Sequence, residues 1–220
     1  MKTIAVAMQK GGCGKSTVSR HGAAILPNSA LLDLDPQGTT LKWLEKRKAQ
    51  GIETPTAIKV PLARLDDALA QVRAHGGVEY LVIDTPPEHD DQRAIRAAIR
   101  VADYVLLPAK PSPDDLEVLN DTLKLVRQAG KPHGFVLTMT RPTKGLLEAQ
   151  ELLTRVASQS SGELCPFTMG NRVAYTDSVF SAQAVTEYEP HGAAAEETTA
   201  IWNWAVERLD RAAAMKKEQA

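Results

Sequence analysis

Short apolar runs alternate along the chain with longer stretches in which apolar residues recur every three or four positions. The runs at 3–8, 30–34, 57–60, 80–84, 104–108 and 135–139 have strand length and predict strands. They lack the strict in-out alternation of a half-exposed sheet, which points to strands covered on both faces. Leu62, Leu65, Leu69 and Val72 step by three or four, as do Leu116, Leu119, Leu123 and Val126, so each set occupies one helix face. Gly130-Lys131-Pro132 closes the second of these helices. At 201–220 a further helix with a frayed tail is expected, carrying Trp202, Val206, Leu209 and Ala213 as one stripe. Strand and helix in alternation predict a doubly wound α/β fold: a mostly parallel sheet flanked by helices, with ligands at the carboxyl ends of its strands.

The chain has 220 residues, 43% of them hydrophobic, enough for one domain spanning 1–220 with a substantial core. Its 26 basic and 27 acidic residues leave a net charge of −1, so any surface for nucleic acid or anionic lipid must be a local patch. Cys13 and Cys165 are too few for a disulfide framework, and His21, His75, His89, His133 and His191 show no ligand spacing. A reduced, cytoplasmic protein without a transition metal is expected. No run has the length of a membrane span, and the first strand opens directly after Met1-Lys2, which argues against export.

Residues 8–17, M-Q-K-G-G-C-G-K-S-T, fall between the first strand and a helix starting near Ser16. Gly11, Gly12 and Gly14 allow unusual dihedrals, so that successive backbone N–H groups and the helix N-terminus can face an anion. Lys15 then reaches the outer phosphates of a nucleotide, and the Ser16 hydroxyl, followed by Thr17, reaches magnesium. The usual pattern would place glycine where Gln9 stands, and it has no use for Lys10. Asp84 ends the apolar run from Tyr80, and a charge at that place is costly unless it meets a cation such as Mg2+. Asp33 and Asp35 leave another strand end, followed by Pro36-Gln37-Gly38. A thiol among N–H groups and lysines suggests a reactive Cys13, protected by bound nucleotide.

The stretch K-G-G-C-G-K-S-T resembles the deviant Walker A motif of the ParA/MinD ATPases, and the resemblance continues through L-L-D-L-D-P-Q-G, L-V-I-D-T-P-P, L-L-P-A-K-P-S-P and N-R-V-A-Y. The absence of an N-terminal helix-turn-helix, the Trp43 segment, and N-R-V-A-Y followed by V-T-E-Y look most like the small ParF-like plasmid-partition group. The resemblance implies ATP and Mg2+ as cofactors and a homodimer that sandwiches two nucleotides, with Lys10 crossing to the partner's phosphates. It makes Asp35 the residue that orients attacking water, places Asp33 in the magnesium hydration shell, and makes Thr85-Pro86-Pro87 the second switch. It also puts Met139, Thr140 and Arg141 at the rim of the base site. The function it implies is DNA partition, with nonspecific DNA binding at the nucleoid, stimulation by a ParB-like or ParG-like adaptor, and higher polymers as a further state. Arg141, Lys144, Arg172, Lys216 and Lys217 are candidate DNA contacts. Two other cycles of the same ATPase remain open: positioning of a microcompartment or chemoreceptor array, and a MinD-like regulator at a membrane surface. Glu207 and Asp210 oppose the membrane alternative by interrupting the basic face of the last helix. Two distant cysteines oppose an iron–sulfur relative. The segment between Lys15 and Asp33 is short for the family, and Arg20-His21 stands where apolar or amide side chains are usual.

Overall fold

The computed structural model describes residues 1–87 and 92–218, so His89 lies outside the described residues, as does the Lys217 side chain. Seven strands form one sheet: β1 (Lys2–Val6), β2 (Ser29–Asp33), β3 (Thr56–Ile58), β4 (Tyr80–Asp84), β5 (Tyr104–Ala109), β6 (His133–Leu137) and β7 (Glu163–Leu164). Their spatial order is β3-β2-β4-β1-β5-β6-β7, and each pairing is parallel. The helices are α1 (Lys15–Ile25), α2 (Thr39–Ala49), α3 (Leu65–His75), α4 (Gln92–Val101), α5 (Pro113–Gln128), α6 (Lys144–Ser160), α7 (Ala174–Phe180), α8 (Val185–Tyr188) and α9 (Ala193–Glu218).

The uniformly apolar strands follow from this layering. Ala5, Leu32, Leu81, Ile83, Val105 and Phe135 point to one face, where α3, α4, α5 and α6 cover them. Their neighbours Ile4, Val6, Leu31, Val82, Leu106 and Val136 point to the other, under α1, α2 and α9. Successive side chains alternate faces, and both faces are dry, so both sets must be apolar. Trp202 of α9 is fully buried and donates its indole N–H to the Val18 carbonyl at 3.2 Å. It lies against Gly22, where an added Cβ would overlap the indole. Truncating a buried tryptophan of this kind typically costs roughly 3–5 kcal/mol, so this contact is a main anchor of α1.

The expected strands all form, with ends displaced. β6 starts at His133 and stops at Leu137, and Met139 beyond it adopts a left-handed φ of 52°. A two-residue β7 joins the edge, too short to leave a periodic signal. Leu62 belongs to a 3-10 turn at Leu62–Arg64, and α3 proper begins at Leu65. The last helix starts at Ala193, upstream of the expected 201, because the Ala-rich segment ahead of the stripe favours helix without showing an apolar period.

Candidate active site

After β1 the chain continues buried through Met8 and Gln9 to the glycine loop. Gly12 and Gly14 take φ values of 73° and 88°, the left-handed region in which a side chain is strained. Gly14 precedes α1 directly, and its carbonyl accepts the helix's first bond, from the Val18 N–H at 2.9 Å. The freed N–H groups of the loop and the amino end of α1 therefore line a cavity of about 280 Å3. Gly11, Gly12, Gly14, Lys15, Ser16 and Thr17 wall it on one side, and Asp35, Thr85, Pro87 and Met139 on the other. The Lys15 ammonium donates to the Lys10 carbonyl at 2.9 Å, which holds it over the loop.

Cys13 corrects its expectation. The thiol is fully buried, lies 3.4 Å from the Lys10 carbonyl, and burial pushes its pKa up despite the nearby Lys15 charge. A shielded, protonated thiol is a poor nucleophile, so the side chain packs the loop from below while its carbonyl accepts the Thr138 hydroxyl at 2.8 Å. Lys10 leaves the loop on the opposite side from the carboxylates and pairs with Asp115 Oδ2 at 3.0 Å. Asp115 sits in the first turn of α5, where the N-cap Ser112 accepts its backbone N–H and donates its own hydroxyl to Oδ2 at 2.6 Å. The other oxygen, Oδ1, is buried without a hydrogen-bond partner.

The parallel register sets Asp33 beside Asp84 at the carboxyl edge. Asp84 is fully buried and accepts the Thr40 hydroxyl at 2.7 Å and the Ser19 hydroxyl at 3.2 Å. Its pKa is raised by burial, against which hydrogen bonds from Thr40 and Ser16 and the charges of Arg20 and Lys15 act. Asp33 receives backbone N–H groups: from Asp35 at 2.9 Å, and from Thr40 and Leu41 at 3.1 Å each. It thus caps α2, whose own N-cap, Gly38, has no side chain to do so. Burial first, then the Asp84 charge, lift the Asp33 pKa to about 6. Asp35 accepts the Gln37 N–H at 2.9 Å in a tight turn and faces the loop cavity. Two carboxylates with a hydroxyl beside them are hard oxygen donors. No group of three or more His, Cys, Asp or Glu able to hold a metal occurs among the described residues, so an ion here needs phosphate oxygens and water to complete its shell. Mg2+ with a nucleotide would meet that condition, and the residues that could hold it are Ser16 and, through water, Asp84 and Asp33.

A second cavity of about 110 Å3 opens beside Gly14 and Thr17 and is lined by Thr138, Met139, Met169, Gly170, Asn171, Arg172, Tyr175 and Thr176. Its position next to the phosphate loop makes it the candidate base pocket. Of the three residues expected there, Met139 alone lines it. Thr140 is drawn into the sheet edge by bonds with Met169 and Asn171, and the Arg141 guanidinium turns to the Asn171 amide at 2.9 Å. Sequence reasoning does not place the stretch 169–176 beside the phosphate loop, although its N-R-V-A-Y stands out. The polar and aromatic types there give no sign that the loop after β7 returns to α1. Among the DNA candidates, Arg172 is paired with Glu197 at 2.6 Å, and Lys144 with Glu148 at 3.4 Å.

The model of the CobQ/CobB/MinD/ParA nucleotide-binding domain matches residues 4–184. The chain is 36% identical over 156 residues to the maintenance of carboxysome distribution protein A of Gloeobacter kilaueensis, covering 68% of each. It is 27% identical over 212 residues to the protein of that name from Halothiobacillus neapolitanus, covering 91% of this chain and 94% of the relative. A solved complex of Cyanothece McdA with ATP superposes with a TM-score of 0.72 at 17% identity, over 96% of both chains. No helix among the described residues is long and apolar enough to cross a membrane. The chain belongs to the CobQ/CobB/MinD/ParA nucleotide-binding family and is an ATPase domain of the ParA/MinD type.

Proposed function

We infer that the protein is a Mg-dependent ATPase that positions a protein microcompartment by cycling between an ATP-closed dimer and a released monomer. The observation that carries the ATPase part is the cavity shared by the glycine loop, Lys15, Ser16 and Asp35. Loop N–H groups and Lys15 bind the phosphates, and Ser16 with Asp84, the latter through water, would hold magnesium, which would supply positive charge against the phosphates. Asp35 orients the attacking water. Lys10 leaves Asp115 and reaches the partner's phosphates, so that assembly and hydrolysis depend on one cation. Nonspecific DNA serves as the track, and an adaptor on the cargo stimulates hydrolysis. The microcompartment cargo is supported by the names of two relatives, which specify carboxysome distribution. They favour it over the ParF-like plasmid partition that the motifs alone suggest.

DNA partition is the second reading, supported by the ParA members of the matching family. Light scattering and DNA retention with no nucleotide, ADP and ATP test the shared cycle. The parent protein should dimerise and hold DNA in Mg-ATP alone, and Lys10→Ala should stay monomeric in all three. A parent that remains monomeric and DNA-free in Mg-ATP removes the proposal. An adaptor that co-purifies with microcompartment shells selects the first cargo, and one that binds a plasmid site selects the second.

A further inference from the structure

Arg20 lies one turn beyond the phosphate loop on α1. Its side chain is partly buried, and its guanidinium grips two adjacent hydroxyls at the start of α2. Nε donates to Thr40 Oγ1 at 3.0 Å and a terminal nitrogen donates to Thr39 Oγ1 at 3.1 Å. The first bond fixes a direction. Arginine can only donate, so the Thr40 oxygen must accept, and its single proton is left for Asp84 Oδ2, 2.7 Å away. A chain of guanidinium, hydroxyl and carboxylate therefore runs from α1 through α2 to the end of β4. Asp33 binds the same turn from the other side, through the Thr40 and Leu41 N–H groups. The Asp35 turn hangs between these two fixed points, with Asp33 at one end and Thr39 at the other.

We propose that Arg20 is a positioning residue for the magnesium site: by clamping Thr39 and Thr40 to α1 it aims the Asp84 carboxylate and sets the height of the Asp35 turn over the phosphate loop. The inference rests on the Mg-ATPase reading and adds to it a residue that touches neither nucleotide nor metal. Arg20 reaches the Asp84 carboxylate through the Thr40 hydroxyl, which stands between them, and its charge adds a through-space attraction to that orientation. Burial and the Asp84 and Asp33 charges pull the guanidinium in opposite directions, as expected for a cation placed to balance two buried acids. A purely structural cross-link from α1 to α2 would show itself as a loss of stability that is the same with and without metal.

The test follows the magnesium requirement of nucleotide binding, read as the rise in melting temperature produced by a non-hydrolysable ATP analogue across a Mg2+ titration. Arg20→Ala should raise the half-saturating Mg2+ about tenfold, the scale on which outer contacts tune a metal site, and lower kcat more than it raises KM. Thr40→Val, which keeps the shape and removes the hydroxyl, should do the same, and Arg20→Lys should return to within about threefold of the parent. Analogue binding in EDTA should stay within about twofold for every variant. An unchanged Mg2+ requirement in Arg20→Ala, or an equal melting loss in every nucleotide state, overturns the proposal. Should Arg20→Ala fail to fold, an unchanged requirement in Thr40→Val does so instead. A parent with no Mg-ATP response defeats the ATPase reading and this inference with it, whereas a responsive parent with parent-like variants defeats the inference alone.

Discussion

The two flanks of the phosphate loop are built differently. On the carboxylate side, Ser19, Arg20, Thr40, Asp33 and Asp84 form a closed set in which hydroxyl and backbone donors meet buried acceptors. On the Lys10 side one ion pair reaches Asp115, the lysine is about one-third exposed, and a buried carboxylate oxygen is left over. An orphaned buried acceptor typically costs about 1–3 kcal/mol, which a pair whose lysine end is partly in water does not fully offset. The first flank is thus preassembled, and the second is held weakly in a state that a better partner can displace. In the proposed cycle the fixed groups orient water and metal, and Lys10 is the cation that arrives with assembly.

The largest expected effect belongs to the fixed flank. Asp35→Ala should bind nucleotide with near-parental affinity and lose about 100-fold in adaptor-stimulated kcat, since orienting the water acts only on the step to the transition state. Turnover within about threefold of the parent would take Asp35 out of that role and leave the carboxylate flank with only a metal-binding task.

The fixed flank carries one flaw of its own, which gives the second comparison. His21 is wholly buried on α1 beside Tyr175 and Trp43. Its Nδ1 accepts the Val185 N–H at 3.3 Å, so the proton is on Nε2, where no acceptor meets it. Burial, helped by the Arg20 charge, lowers its pKa to about 3. The unfolded chain binds that proton below the ordinary value of about 6.5, so His21 removes stability as pH falls from about 6.5 towards 3. Asp33 acts with the opposite sign: its pKa of about 6 lies above the ordinary carboxylate value, so its protonation adds stability between about 6 and 4. His21→Asn, which keeps an acceptor for Val185, should therefore spare about 1.4 kcal/mol of acid-induced loss between about pH 7.5 and 5.5. Urea unfolding at the two pH values measures it, and identical losses in parent and variant would show that the imidazole is not the source.

Much of this arrangement is legible in the sequence, and the boundary has physical causes. Gly12, Gly14, Lys15 and Ser16 can be placed because phosphate chemistry prescribes their spacing within one turn. Asp84 can be placed because an acid after a buried strand needs a cation. Arg20, Thr40 and Asp115 cannot, because their roles arise from contacts over 19 or more positions, as in the 44-residue separation of Thr40 and Asp84. The reactivity expected of Cys13 fails for a related reason. Lysines close in sequence suggest a thiolate, but the thiol points down into the core, and depth outweighs neighbouring charge.

The weak flank yields the smallest effect and the one most specific to it. Asp115→Asn keeps a side chain of the same shape and an oxygen to accept the Ser112 hydroxyl, so the α5 cap should survive. The charge that attracts Lys10 is removed, and with Lys10 about one-third exposed that attraction is worth about 1 kcal/mol or less. Release of the lysine should then lower the protein concentration for half-maximal dimerisation in Mg-ATP by up to about fivefold, because the closed state no longer competes with the ion pair. Dimerisation should remain absent in ADP, since in the proposed cycle the partner's γ-phosphate draws Lys10 across. Sedimentation velocity over a dilution series reads the shift. A rise in that concentration would mean that Asp115 helps the closed dimer rather than holding Lys10 back, and the contrast between a fixed and a releasable flank would then be lost.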